Sequence, residues 1–379
     1  MTDTLDVHGP RLLGTAGALA SAHDLLLLDL DGVVYIGPHA VPGAAEALDA
    51  VRADGVALCF VTNNASRPPR TVADHLTRLG VPATEAEVVT SAQVAAALLA
   101  RRLDPGAGVL VVGAAGLRDA LRAEGLVPVD TVDEGPVAVV QGFGPDVGWR
   151  LLAEATRAVR SGLYWMATNL DQTVPTPYGP APGNGSLVGV VAVAAGRGPD
   201  EVAGKPRPGA FREAAARAGS ERPLVVGDRL DTDLEGARAA GMPGLLVLTG
   251  VTGVSELLDA APARRPDLMG RDLWTLRDAH PEATTDATTD ATTDATTAAR
   301  AQAGGPVTGR CRDAVVRVRP DGGRAALQVV AAGDDVLDVL RAAAVATWAV
   351  RDAGPGLAAD PGPVIEAVRA AEPGADWAR

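Results

Sequence analysis

The chain has 379 residues, 47% of them hydrophobic, and a formal net charge of −13. That length suggests two or three domains of roughly 100–200 residues each, with ample material for a core. The acidic balance argues against a general nucleic-acid binder, which needs a basic face, while a bound metal or a local cationic pocket can still hold a small anion.

The stretch RLLGTAGALASA (11–22) imitates an export signal, but two acids precede it and a strand-like run follows closely. It reads as an N-terminal helix or turn. No apolar run is long enough to suggest a membrane span. Cys59 and Cys311 lie far apart and outside any CxxC, so no zinc site or disulfide framework is implied and a reducing cytoplasm is expected.

From residue 24 strand-like and helix-like segments alternate. LLLLDL (25–30) reads as a strand buried on both faces. A helix-like segment follows at 42–54, then a strand at 56–62 and a helix at 68–80. Further strand-like runs fall at 108–113, 137–142, 163–168, 223–228 and 244–250. This rhythm argues for an α/β fold with a mainly parallel sheet, whose active site lies at the carboxyl ends of the strands. ATTDATTDATTDATT (283–297) has no apolar periodicity and reads as an acidic linker. Beyond it, DAVVRVRP alternates like a strand, and 334–353 has helical spacing with Val336, Leu337, Leu340, Ala344 and Trp348 on one face. A shorter helix-like piece follows near 363–371. The expected division is core 1–88, cap 89–200, core 201–280, linker 281–305 and a small C-terminal α+β appendage 306–379.

Three strand ends carry chemistry. In DLDGVVY, Asp29 and Asp31 stand one residue apart, so their carboxylates converge on one face. Two such charges at the edge of a core call for a hard cation such as Mg²⁺. In FVTNNAS, Thr62, Asn63 and Asn64 offer a hydroxyl, amides and free main-chain N–H groups for an oxyanion. In VVGDRLDTD, Asp228 is positioned to join a metal site and Asp233 to support it, with Asp231 at the same helix start. Lys205 completes the set: of the 34 Lys plus Arg it alone is Lys. A compact ammonium serves where a guanidinium fork is too broad. Together these residue types suit phosphoryl transfer through an aspartyl-phosphate.

The ordered segments Asp29-Leu30-Asp31-Gly32-Val33, Thr62-Asn63-Asn64, Gly204-Lys205-Pro206 and Gly227–Asp233 resemble the four motifs of the haloacid dehalogenase (HAD) superfamily. The resemblance implies a Rossmann-like core with an inserted cap. It implies Asp29 as nucleophile, Asp31 as general acid and base, Thr62 and the adjacent asparagines at the phosphate, and Lys205 offsetting charge. By the same resemblance Mg²⁺ is held by Asp29, Asp228 and the main-chain carbonyl of Asp31, with Asp233 behind. The long insert before Lys205, with its Pro- and Gly-rich loop 167–189, resembles the subfamily with a large α/β cap and makes Asn169 and Asp171 the cap-side candidates for substrate. The segments LCFVTNNASR, VVTSAQ, PGNGS and VVGDRLDTD, with the appended tail, are similar to mycobacterial-type glycerol-3-phosphate phosphatases, whose tail resembles a truncated GNAT acetyltransferase. Acetyl transfer by this tail is not expected.

The expected activity is Mg²⁺-dependent hydrolysis of a small phosphorylated metabolite, glycerol 3-phosphate first. The expected partners exclude nucleic acid and membrane and leave a homo-oligomer open. The rivals are another phosphatase of the same subfamily (phosphoglycolate, pyridoxal phosphate, nucleotide or p-nitrophenyl phosphate), a phosphomutase, and a metal-dependent phospho-ligand sensor. A sensor would have no need of the Asp31 proton shuttle.

Overall fold

The computed structural model describes residues 10–176, 178–286, 305–354, 356–375 and 377. Six parallel strands form the core sheet, in the order Leu268–Gly270, Gly244–Val247, Pro223–Gly227, Leu25–Leu28, Ala57–Thr62, Val88–Thr90. Leu25–Leu28 is central, pairing with Pro223–Val226 on one side and Ala57–Phe60 on the other. Its residues alternate between two cores. Leu26 and Leu28 join Phe60 and Val226 on one face, and Leu25 and Leu27 join Cys59, Val61 and Val225 on the other. A strand covered on both faces needs no polar position, which explains its unbroken apolar run. Helices Ala44–Ala53 and Pro69–Arg78 fall where the spacing places them.

A second parallel sheet, ordered Glu201–Val202, Tyr164–Ala167, Ala138–Gln141, Gly108–Val112, Val127–Val129, builds the inserted cap. The hairpin strands Thr173–Thr176 and Gly179–Pro182 project from the loop that follows Ala167.

Three strand pairings cross the expected divisions. Val88–Thr90 stays in the core sheet beside Phe60–Thr62. Glu201–Val202 pairs with Met166–Ala167 and so ends the cap sheet instead of opening the core. Ala283–Thr285, expected as linker, pairs with Gly309–Cys311. Each depends on a neighbour remote in sequence, to which local periodicity is blind. The rest of the expected linker, 287–304, lies outside the described residues, as does 1–9.

The N-terminal stretch is helical only over Leu19–Ala22; Leu12 bridges Ala283 and Leu13 N–H donates to Asp267 O. The C-terminal part is a sheet ordered 283–285, 307–311, 314–321, 324–331, 358–359, with helix Val336–Ala353 against it. That helix is buried from Val336 through Val350, more than the one face its spacing suggests. It lies between its own sheet and the core, sharing one apolar cluster with Leu230, Leu246, Val254 and Leu257. Trp348 Nε1 donates to Leu257 O at 2.9 Å, and Arg265 forks onto Asp352 at 2.7 and 2.6 Å. The appendage is therefore docked on the core through apolar burial and a bidentate ion pair. Among the described residues no helix is long and apolar enough to cross a membrane.

Candidate active site

Three adjacent core strands deliver the predicted residues at their carboxyl ends: Asp29 after 25–28, Thr62 closing 57–62, and Asp228 after 223–227. Such a row of strand ends is where open α/β sheets bind ligands. Lys205 comes in from the segment that returns from the cap. Its ammonium lies 2.6 Å from Asp29 Oδ1 and 2.7 Å from Asp233 Oδ1, in a side chain only 3% exposed. Desolvation alone would lower its affinity for a proton; the charges of Asp233 and Asp29 outweigh this and hold it protonated.

Asp29, Asp228 and Asp233 each bring a carboxylate oxygen within 4.8 Å of the other two. Asp228 is fully buried; its Oδ2 accepts from Val251 N–H at 2.7 Å and its Oδ1 has no hydrogen-bond partner. Burial first, then the charges of Asp233 and Asp29, pushes its carboxyl well above the usual range. Asp233 is pushed up to about 7, by burial and then by Asp29. Three carboxyl groups packed with one ammonium leave a charge imbalance that a hard divalent cation relieves. An unpartnered, buried oxygen on Asp228 is the kind of donor such an ion takes. The residues present therefore fit Mg²⁺. Asp233 spends Oδ1 on Lys205 and Oδ2 on Arg229 N–H (3.2 Å), which suits a supporting position.

Asp31 stands at the mouth of the cleft, exposed on its outer side. The surrounding walls exclude enough water, and Asp29 adds enough negative charge, to lift its carboxyl to about 6. Asp231 is turned away and takes both donors of the Arg229 fork, at 3.1 and 2.9 Å.

Thr62 is buried, and its Oγ1 accepts from Asn64 N–H at 3.1 Å, so its own hydroxyl proton is free to point into the cleft. The three candidate amides take other partners. Asn64 Oδ1 caps a turn, accepting from Ser66 N and Oγ and from Arg67 N at 2.8–3.3 Å. Asn169 is 3% exposed and donates to Asn63 O at 2.7 Å. Asn63 Nδ2 faces the carboxylate of Asp171, 3.2 Å from both oxygens.

The loop 248–253 closes the site and was not singled out from the sequence. Thr249 Oγ1 donates to Gly32 O at 2.6 Å, and Val251 and Thr252 bond Asp228. A Cβ on Gly250 would lie 1.9 Å from Asp228 Oδ2, so only glycine lets this loop pass the carboxylate. The signal was present as a Thr-Gly pair ending the strand-like run 244–250.

A family model for haloacid dehalogenase-like hydrolases matches residues 26–127, and a HAD-hydrolase-like model matches 202–276. The chain belongs to the haloacid dehalogenase-like hydrolases. It is 51% identical, over 259 residues, to the D-glycerol 3-phosphate phosphatase of Mycobacterium tuberculosis, covering 68% of this chain and 72% of that one. It is 36% identical, over 233 residues, to an acid sugar phosphatase of Staphylococcus aureus, covering 61% of this chain and 88% of that one. In three dimensions it is similar to a glycerol phosphate phosphatase from Mycobacterium tuberculosis in complex with magnesium. The TM-score is 0.77 at 41% identity, over 93% of this chain and 98% of that one.

Proposed function

We propose that this chain is a Mg²⁺-dependent phosphomonoester hydrolase of the cytoplasm whose first substrate is glycerol 3-phosphate, releasing glycerol and phosphate. The observation that carries the reading is the meeting of Asp29, Asp228 and Asp233 around the ammonium of Lys205 at the ends of neighbouring strands. Its resemblance to a glycerol phosphate phosphatase over 93% of the chain supports the substrate. The partner is a small phosphorylated metabolite; the acidic chain is unsuited to nucleic acid.

Asp29, Asp228 and the main-chain carbonyl of Asp31 would hold Mg²⁺, with Asp233 behind them; bound there, the ion offsets the charge of the phosphoryl oxygens. A carboxylate oxygen of Asp29 forms a bond to phosphorus as the bond from phosphorus to the ester oxygen breaks. Asp31 gives its proton to the departing alkoxide. Asp31 then takes a proton from water, whose oxygen bonds to phosphorus while the Asp29–phosphorus bond breaks. A carboxyl near pH 6 can serve both halves. Lys205 counters the charge of Asp29 and of the transferring group, and the Thr62 hydroxyl donates to a phosphoryl oxygen.

The test is phosphate release, with and without Mg²⁺, from glycerol 3-phosphate, phosphoglycolate, pyridoxal phosphate, nucleoside monophosphates and p-nitrophenyl phosphate. Release greatest from glycerol 3-phosphate and lost in Asp29→Asn supports the full reading. Preference for another ester overturns the substrate and keeps the chemistry. No release from any ester overturns the reading.

A further inference from the structure

Asn63 occupies a position its neighbours make unusual. Its Oδ1 accepts from Lys205 N–H at 2.8 Å, and its Nδ2 lies 3.2 Å from Lys205 O. The same Nδ2 faces both Asp171 oxygens at 3.2 Å. Its own carbonyl accepts from Ser91 Oγ at 2.6 Å and from Asn169 Nδ2 at 2.7 Å. Asn169 in turn holds Asp171 N–H on its Oδ1 at 3.2 Å, and Asn184 Nδ2 holds Asn169 O at 2.8 Å. One amide therefore grips both main-chain groups of Lys205 on one side and the cap loop 169–171 on the other. A primary amide offers two donors and one acceptor on a rigid plane, which matches this set of partners. The approach is close: a Cβ on Gly204 would lie 2.5 Å from Asn63 Oδ1 and 2.5 Å from Thr168 O.

We propose that Asn63 is a positioning residue that couples the docking of the cap loop to the placement of Lys205 against Asp29, with Asp171 as the cap's half of the clasp. The inference rests on the phosphatase reading above and changes the part played by two residues within it. Asn63 and Asp171 act on each other and on Lys205, not chiefly on the leaving alcohol. A bond between an amide and a carboxylate is charge-assisted and directional, so it transmits the loop's position to the lysine main chain. Asp171 also lies within electrostatic reach of Arg229, Lys205 and Asp29.

A contact with the leaving alcohol and a clasp on Lys205 separate in a reaction that has no alcohol. The assay is exchange of oxygen between inorganic phosphate and heavy-oxygen-labelled water, with Mg²⁺, on the full chain. Asp171→Ala removes the cap's half of the clasp. Asn63→Asp keeps the acceptor for Lys205 N–H but loses the donor to Lys205 O and to Asp171, and sets two carboxylates face to face. The double variant Asn63→Asp, Asp171→Asn reverses donor and acceptor and restores the pair. Circular dichroism establishes that each variant is folded. The clasp predicts that each single variant slows exchange about tenfold or more, and that the reversed pair, which restores the bond to residue 171 but not the one to Lys205 O, recovers part of what Asn63→Asp loses. Exchange unchanged in Asp171→Ala, with glycerol 3-phosphate turnover reduced, overturns the clasp and makes Asp171 a leaving-group contact. A reversed pair no faster than Asn63→Asp also overturns it. A wild type that neither exchanges phosphate nor hydrolyses any ester overturns the phosphatase reading, and the clasp with it.

Discussion

Replacing Lys205 tests why the chain's one lysine stands where it does. Lys205→Met removes an ammonium 2.6 Å from Asp29 and 2.7 Å from Asp233, and leaves those carboxylates buried without it. Stripping one partner from a buried ion pair costs about 3–5 kcal/mol. Lys205→Arg keeps the charge but forces a planar fork into a space with 3% exposure, and overpacking of that kind costs about 1–3 kcal/mol. Stability in chelator should therefore run wild type, Arg variant, Met variant, in falling order. Mg²⁺ should narrow the gap for Met, since the ion takes over part of the lost positive charge. Turnover should fall about a hundredfold or more in both variants, because a displaced charge no longer meets the reacting oxygens. Urea unfolding with chelator and with Mg²⁺, beside phosphate release, measures all of this. A Lys205→Met protein as stable as the parent in chelator would refute the electrostatic argument. A Lys205→Arg protein with wild-type kcat would refute the argument from the ion's compactness.

Four further outcomes are expected. Gly250→Ala sets a methyl 1.9 Å from Asp228 Oδ2; the carboxylate must move, so the Mg²⁺ concentration for half-maximal activity should rise at least about tenfold, and an unchanged Mg²⁺ titration would count against Asp228 as a ligand. Asp31, lifted to about 6, must be protonated to release an alcohol; kcat/KM for glycerol 3-phosphate should fall above that pH, while p-nitrophenyl phosphate, whose leaving group needs no proton, should show a weaker fall. His280 is 3% exposed, its Nδ1 2.6 Å from Leu13 O and its Nε2 2.9 Å from Met269 N, and burial first and Arg341 second lower it from 6.5 to about 4. The unfolded chain then binds the proton more readily, so stability is full above pH 6.5 and is lost as pH falls toward 4, by up to about 3 kcal/mol. Urea melts of wild type and His280→Gln across that range should show the acid-side loss shrinking in the variant. Trp348→Ala empties the cluster shared by the core and the C-terminal helix and should cost about 3–5 kcal/mol in the same melts; a loss confined to a separate, minor transition would show that the appendage folds apart from the core.

Much of the candidate site's floor was legible because it is written at strand ends. Asp29, Thr62 and Asp228 each stand at the end of an apolar run that reads as a buried strand, and the order of strands 223–227, 25–28 and 57–62 sets them side by side. Lys205 was legible through composition, as the one lysine among arginines. What the sequence concealed depends on approach in space. That Asn63 turns its amide to Asp171 and to the Lys205 main chain needs the chain folded back on itself across sequence separations of 108 and 142. The fit of Gly250 against Asp228 joins two loops that no periodicity relates. The pairing of Ala283–Thr285 with Gly309–Cys311 gives a polar repeat a strand partner it could not announce. Helix Val336–Ala353 shows an amphipathic spacing, yet it is buried nearly all round because a second surface, the core's Leu246 and Leu257, covers its other side.

In the proposed reaction Asp29 carries the phosphoryl group between its donor and water. The most direct measurement is an acid quench of enzyme turning over radiolabelled glycerol 3-phosphate with Mg²⁺, followed by proteolysis and identification of the labelled peptide. Acid-stable, base-labile label is expected on the peptide containing Asp29 and is expected to be absent from Asp29→Asn. Steady turnover with label on another residue, or label that persists in Asp29→Asn, would contradict it.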